Sequence, residues 1–122
     1  IYSEADKESL HLRYADECHC VGPAQPEQSY LNIDKIIQTA KNFGCEAIHP
    51  GYGFLAQISS FAKACESNKI EFIGPSSDAL KSMGSKIRAR EMVASAGVPV
   101  IPGGMEAVAE AEACASLMMR GK

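Results

Sequence analysis

No apolar run in this 122-residue chain approaches the roughly 20 residues that a membrane-spanning helix needs. A transmembrane role is therefore not expected. Basic clusters are missing as well. The 12 lysines and arginines are scattered, the formal net charge is −3, and the densest run, Lys86 to Arg90, reads as one helix face. Nucleic acids and anionic membrane surfaces both require clustered positive charge, so neither is an expected partner. The five cysteines (Cys18, Cys20, Cys45, Cys65 and Cys114) are odd in number and lack compact spacing. That argues against a secreted disulfide framework and for a reducing compartment such as the cytoplasm. No signal or transit peptide is visible, nor any internal repeat or low-complexity segment. The chain opens on Ile1 rather than Met, inside what reads as a strand, and stops at Arg120-Gly121-Lys122 without a closing element. A fragment of a longer protein is the expectation.

Familiar catalytic sets are also missing. No Ser–His–Asp combination can be assembled, and Asp6, Asp16, Glu17 and Asp34 suggest no acid–base pair. Gly103-Gly104 is too short for a phosphate loop. Cys18-His19-Cys20 invites a metal reading, but along a strand residues 18 and 20 face one way and 19 the other. Tetrahedral zinc sites space their cysteines more widely and need further ligands, and His11 is the only extra nearby. No metal ligand is therefore assigned, and two half-buried thiols are expected instead.

What is present is the composition of an ordinary globular domain, 46% hydrophobic and 22% charged. Strands and helices alternate along it. Ile1-Tyr2 ends a strand, and Ser3 to Asp6 supplies a turn or cap. Asp16 to Gly22 is a short strand closed by Gly22-Pro23. Gln28-Ser29-Tyr30 leads into a helix whose Ile33, Ile36, Ile37 and Ala40 recur at i, i+3, i+4, i+7, with Gly44 as its stop. Glu46 to His49 reads as a buried strand, broken by Pro50-Gly51-Tyr52-Gly53. A second helix places Ile58, Phe61, Ala62 and Cys65 on one face, and Ile70 to Ile73 is the next strand, ended by Gly74-Pro75. Ser76 or Ser77 caps a short helix with Ala79, Leu80 and Met83. Ser85 caps another with Ala89, Met92, Val93 and Ala96 inward, closed by Gly97-Val98-Pro99. Val100-Ile101 is a short extended piece, and Glu106 to Met119 an alanine-rich helix. This alternation predicts an α/β fold: a parallel, helix-covered sheet with right-handed crossovers. A boundary is expected after Pro75, where helices take over.

In such a sheet ligands gather at the carboxyl ends of strands. Three strand ends carry glycine and proline: Gly22-Pro23, His49 to Gly53, and Gly74-Pro75. The middle one adds a histidine and a tyrosine, although a tight turn with a packed aromatic would look the same, and His49 reads first as a structural histidine. Lys86 is a second candidate. It opens a helix, where free backbone N–H groups and an ammonium would together favour a phosphate; a solvated surface lysine is the plainer alternative. On the residues alone, a parallel α/β nucleotide-fold-like domain is reached, and no reaction.

Several segments taken in order carry a resemblance. Tyr2-Ser3-Glu4-Ala5-Asp6, Gly22-Pro23-Ala24, Ser29-Tyr30-Leu31-Asn32, Ala47-Ile48-His49-Pro50-Gly51-Tyr52-Gly53-Phe54-Leu55, Phe72-Ile73-Gly74-Pro75, Met83-Gly84-Ser85-Lys86 and Ala96-Gly97-Val98-Pro99 resemble biotin carboxylases, the ATP-grasp subunits or domains of acyl-CoA and pyruvate carboxylases. The resemblance covers nearly the whole chain; only the final helix matches loosely. It implies a Rossmann-like pre-ATP-grasp domain over residues 1–75, lacking its first strand, glycine-containing loop and helix, and the start of the ATP-grasp domain over residues 76–122. It implies that ATP and bicarbonate give carboxyphosphate, which carboxylates biotin on a carrier protein with Mg²⁺ or Mn²⁺ neutralising phosphate charge. Lys86 looks like the ATP-contacting lysine of the family's Met-Gly-Asp-Lys segment. Tyr52 and Gly53 look like the loop lining the biotin ureido pocket, while His49 looks structural. The family's glycine-rich lid, metal-binding glutamates and catalytic arginine would follow Lys122, so no catalytic residue falls inside the chain.

The implied partners are a biotin carboxyl carrier protein or domain and a carboxyltransferase, with a homo-oligomer when intact and a cytoplasmic location, or the mitochondrial matrix in a eukaryote. Two departures stand out. Ser85 replaces an aspartate, a mild change because both cap helices. Ala56-Gln57-Ile58 replace Ser-Glu-Asn, and Gln57 removes an acceptor-only negative group near the biotin end. Rival readings are another ATP-grasp ligase, such as a carbamoyl-phosphate synthetase, and a divergent non-catalytic interaction domain.

Overall fold

The structure, a computed structural model, describes residues 1–101. Gly103-Gly104, Cys114 and the expected helix Glu106 to Met119 lie outside the described residues. The chain divides into two compact units, the first Ile1–Leu80 and the second beginning at Lys81.

In the first unit β1 (Tyr2–Ser3) runs parallel to β2 (Cys20–Gly22), with Tyr2 opposite Cys20 and Ser3 opposite Gly22 across an irregular step. Likewise β3 (Ala47–Ile48) runs parallel to β4 (Glu71–Phe72). Between β2 and β3 lies α1 (Ile33–Asn42), and between β3 and β4 lies α2 (Ser59–Ser67). The result is a mixed α/β fold with parallel strands joined through helices. Two features differ from the sequence-based expectation. The strands are shorter, and they form two separate pairs rather than one continuous ladder. The strand expected from Glu46 to His49 is also not buried: Ala47 is exposed and Ile48 only half-covered, and among the described residues β3 pairs with β4 alone.

The helices follow their apolar spacing. Ile36, Ile37 and Ala40 of α1 meet Phe61, Ala62 and Cys65 of α2, and Leu55, Ile70 and Phe72 close the cluster. Phe61 and Phe72 pack edge-on, ring centroids 5.8 Å apart at 89°, a geometry that matches the charge distribution of aromatic rings. Ile58 departs from the expected apolar face. It stands just before α2 and is 41% exposed.

Helix ends are settled by hydrogen bonds. Asn32 Oδ1 accepts from the Lys35 N–H at 3.0 Å and starts α1. At the other end the Gly44 N–H donates to Lys41 O and the Cys45 N–H to Ala40 O, with Gly44 at φ +65. This left-handed glycine cap satisfies carbonyls that the helix leaves open. Of the two possible caps for α3 (Ser77–Met83), Ser76 holds the position, its Oγ accepting from the Ala79 N–H at 3.2 Å. Ser77 is instead tied to the Glu66 carboxylate through its N–H and Oγ.

In the second unit α4 (Lys86–Ser95) begins at Ser85, whose Oγ accepts from the Arg88 N–H at 3.4 Å. It ends on Gly97 at φ +76, with the Val98 N–H donating to Val93 O. The expected inward face of this helix is not buried: Ala89 and Val93 are half-covered, and Met92 and Ala96 are exposed. Val100 and Ile101 extend without pairing into a strand among the described residues; the Arg90 guanidinium donates to Ile101 O.

Candidate functional site

The loop after β3 is the richest strand end, and its shape follows from local bonds. The His49 ring accepts the Gly51 N–H on Nδ1 at 3.0 Å, closing a turn with Gly51 at φ +71. His49 therefore shapes the loop. Beyond it, Phe54–Gln57 makes a single tight helical turn, sealed by the Ala56 N–H donating to Gly53 O at 2.9 Å. Leu55 in that turn is buried in the core. Tyr52, between the two anchored ends, is 100% exposed. Gln57, at the end of the turn, is exposed as well.

Beneath the loop is a cavity of about 370 Å³. Ile36, Ile48 and Phe61 form its apolar wall, and Tyr30, His49 and Phe54 its aromatic one. Phe54 stacks on Tyr30, centroids 5.4 Å apart and planes 22° apart. The Tyr30 hydroxyl donates to Asp6 Oδ2 at 2.6 Å and accepts the Ser3 N–H at 2.8 Å, while Ser3 Oγ donates to the same carboxylate oxygen at 2.7 Å. These bonds set the local acid–base balance. The Tyr30 and Ser3 hydroxyls hold the Asp6 carboxyl below its ordinary value. Burial, and then the bond to Asp6, push the Tyr30 hydroxyl up. Sequence reasoning missed this network, because the partners stand 24 and 27 residues apart.

The other strand ends differ. Gly22 approaches the Gln28 carbonyl so closely that a Cβ would collide with it, which explains glycine there. Gly74-Pro75 borders a cleft of about 650 Å³ whose wall carries Glu46, Glu66 and Glu71 against Lys69. Three carboxylates beside one ammonium do not suit a phosphate. Cys18 is half-buried and Cys20 exposed; Cys18 Sγ donates to Leu12 O and Cys20 Sγ to Gly22 O. His19 stacks on Phe43 and pairs with Glu17 at 3.2 Å. Among the described residues no group of three or more His, Cys, Asp or Glu could hold a metal ion. Lys86 is exposed and opens α4 as expected. It lies in the second unit, whereas Tyr52 and Gly53 lie in the first.

These features define an α/β domain with parallel strands and a glycine-bearing loop at the carboxyl end of one of them. Residues 1–80 match the family model described as "Biotin carboxylase, N-terminal domain", and the chain belongs to that family. It is 49% identical over 117 residues to biotin carboxylase 1 of Bacillus subtilis, covering 96% of this chain and 26% of that protein. Among solved structures it resembles a biotin carboxylase complex with beta-gamma-ATP from Campylobacter jejuni, with TM-score 0.87 and 47% identity over 98% of this chain and 27% of that one. It also resembles the biotin carboxylase domain dimer of the 2-oxoglutarate carboxylase from Hydrogenobacter thermophilus, in complex with MgADP, ADP and bicarbonate (TM-score 0.85, 41% identity, 93% of this chain and 25% of that one). The chain thus spans about a quarter of the length of these relatives.

Proposed function

We propose that this chain supplies the biotin-side loop and one ATP contact of an ATP-dependent biotin carboxylase. The observation that carries the reading is the loop after β3, which holds Tyr52 fully exposed at the carboxyl end of a parallel strand in a chain of this family. In the reaction bicarbonate attacks the γ-phosphorus of ATP, ADP leaves, and the carboxyphosphate formed gives its carboxyl group to a biotin ureido nitrogen as phosphate departs. Tyr52 and Gly53 line the ureido side. Lys86, exposed at the helix start, meets the nucleotide phosphates as a point charge. The described residues offer no cluster of three or more His, Cys, Asp or Glu for Mg²⁺ or Mn²⁺.

We read the two parallel pairs as parts of one Rossmann-like pre-ATP-grasp sheet with helices on both faces, over residues 1–75. Residues 76–122 then start the ATP-grasp domain. In the intact protein the partners are a biotin carboxyl carrier and a carboxyltransferase, and the enzyme assembles as a homo-oligomer in the cytoplasm or mitochondrial matrix. No helix among the described residues is long and apolar enough to cross a membrane. One feature favours a second reading: Gln57, where the family resemblance leads one to expect glutamate, suits a divergent domain kept for interaction.

Kinetics of the intact protein test both. A working carboxylase releases ADP in a bicarbonate-dependent and biotin-stimulated manner. Lys86→Ala should then raise the KM for ATP about tenfold or more, as loss of a charged contact does, and Tyr52→Ala should raise that for free biotin. Absence of biotin-stimulated ADP release from the intact protein would favour the interaction domain. An unchanged KM for ATP in Lys86→Ala would remove that residue from the site.

A further inference from the structure

We infer that Phe54 and Tyr30 are positioning residues that fix the Tyr52-Gly53 loop relative to β1. The inference rests on the reading above, in which that loop faces a cyclic urea.

Phe54 has φ +46, in the left-handed region that side chains with a Cβ rarely occupy. Such strain persists only where the surroundings over-determine it. Here two neighbours do so. Leu55 is driven into the core, 6% exposed, and the Phe54 ring lies flat on Tyr30. Tyr30 is itself fixed, its hydroxyl held by both Asp6 and the Ser3 N–H, and Ser3 is a buried residue of β1. A line of contacts therefore runs from strand β1 through Ser3 and Asp6, Tyr30 and Phe54 to the carboxyl side of Gly53. On the amino side the Gly51 N–H is fixed by His49. Between these two anchors only Tyr52 and Gly53 are left to meet a ligand.

A purely packing role does not fit Phe54. Phe54 is 59% exposed, so it contributes little to the core, and the neighbouring Leu55 carries the burial. What Phe54 adds is direction: its stack and its backbone set where the chain leaves Gly53. Errors of about 1 Å in placing a reactive group cost up to about a hundredfold in rate.

Three variants of the intact protein separate positioning from folding. Phe54→Gly accepts the backbone conformation but has no ring. Phe54→Tyr keeps the stack. Tyr30→Phe keeps the stack and loses the tether to Asp6. With free biotin, ATP and bicarbonate as probes, Phe54→Gly should raise the KM for biotin about tenfold while the KM for ATP stays within about twofold. Phe54→Tyr should restore wild-type values, and Tyr30→Phe should fall between. Amide hydrogen exchange at Gly51 and Ala56, whose N–H groups are bonded within the loop, should quicken in Phe54→Gly and Tyr30→Phe. An unaltered KM for biotin in Phe54→Gly, or a parallel rise in both KM values with a matching fall in Tm, would overturn the inference. If the wild type shows no biotin-dependent turnover, the carboxylase reading fails by itself. Hydrogen exchange then decides whether the loop is held: unchanged rates in both variants would sink the restraint as well. Should Phe54→Gly fail to fold, Tyr30→Phe alone decides on the same two measurements.

Discussion

Tyr30 and Asp6 show how one hydrogen bond ties stability to pH. The bond needs a neutral phenol and an ionised carboxylate. Asp6 is held below its ordinary value in the folded chain, so its contribution is full above about pH 4, the unfolded carboxylate value, and is lost as pH falls through the lower folded value. Tyr30 is raised, so its contribution is full below about pH 10 and is lost as pH climbs from the unfolded value towards the folded one. Thermal melts across pH should therefore show Asp6→Asn flattening the acid limb relative to wild type, and Tyr30→Phe the alkaline limb. Parallel curves for wild type and variants would mean that the bond contributes nothing. Cys65 behaves in the opposite sense to a reactive thiol. Burial pushes it up, and the thiolate is the nucleophile. Alkylation at pH 8 followed by mass spectrometry should label exposed Cys20 and Cys45 first and Cys65 only on unfolding. The network could not be read from spacing, whereas the thiol's place on the inward face of α2 could. Asp6 stood in the sequence as one of four carboxylates without a partner, and Phe54 carries no sign of a left-handed φ because only glycine advertises one.

The elements that were legible are those with a period and a cap. Ile33, Ile36, Ile37 and Ala40 marked α1, and Gly44 marked its end. The tight turns at Leu10–Tyr14, Pro26–Gln28 and Phe54–Gln57 were not legible, since three to five residues span too little for an amphipathic repeat. The strands were placed but overextended, because two or three paired residues leave flanks with the same composition. Energetics follow the same order. Phe61 is 2% exposed and meets both helices and β4, so Phe61→Ala should cost about 3–5 kcal/mol and lower Tm by roughly 10 °C or more. Asn32→Ala removes only a cap, worth about 1 kcal/mol. Gly22 sits at φ +140 with the Gln28 carbonyl in the path of any Cβ. Gly22→Ala should thus destabilise by about 1–3 kcal/mol, and denaturant unfolding that placed it level with wild type would show that the β2–α1 turn can relax.

The chain as a whole joins two units that carry different halves of the proposed chemistry, Tyr52-Gly53 in one and Lys86 in the other. The family was readable because its motifs are local strings, and the relatives bear it out at 49% identity over almost the whole chain. The reaction was not readable in the same sense, for the chain spans 26% of that relative. Phosphoryl transfer is achieved almost wholly by positioning and by neutralising charge at several points around the phosphates. Among the described residues one exposed lysine is proposed for that task, and no cluster of three possible metal ligands stands beside it. A single ammonium can favour nucleotide binding, but it cannot align bicarbonate, the γ-phosphate and a metal. The 122 residues alone should therefore show no bicarbonate-dependent ATP hydrolysis, at protein concentrations where the intact enzyme turns over readily. In calorimetry on the same samples, any weak heat of ATP binding should vanish in Lys86→Ala. ADP release stimulated by free biotin from this chain alone would overturn the argument, because it would require the full charge-neutralising set to lie within these residues.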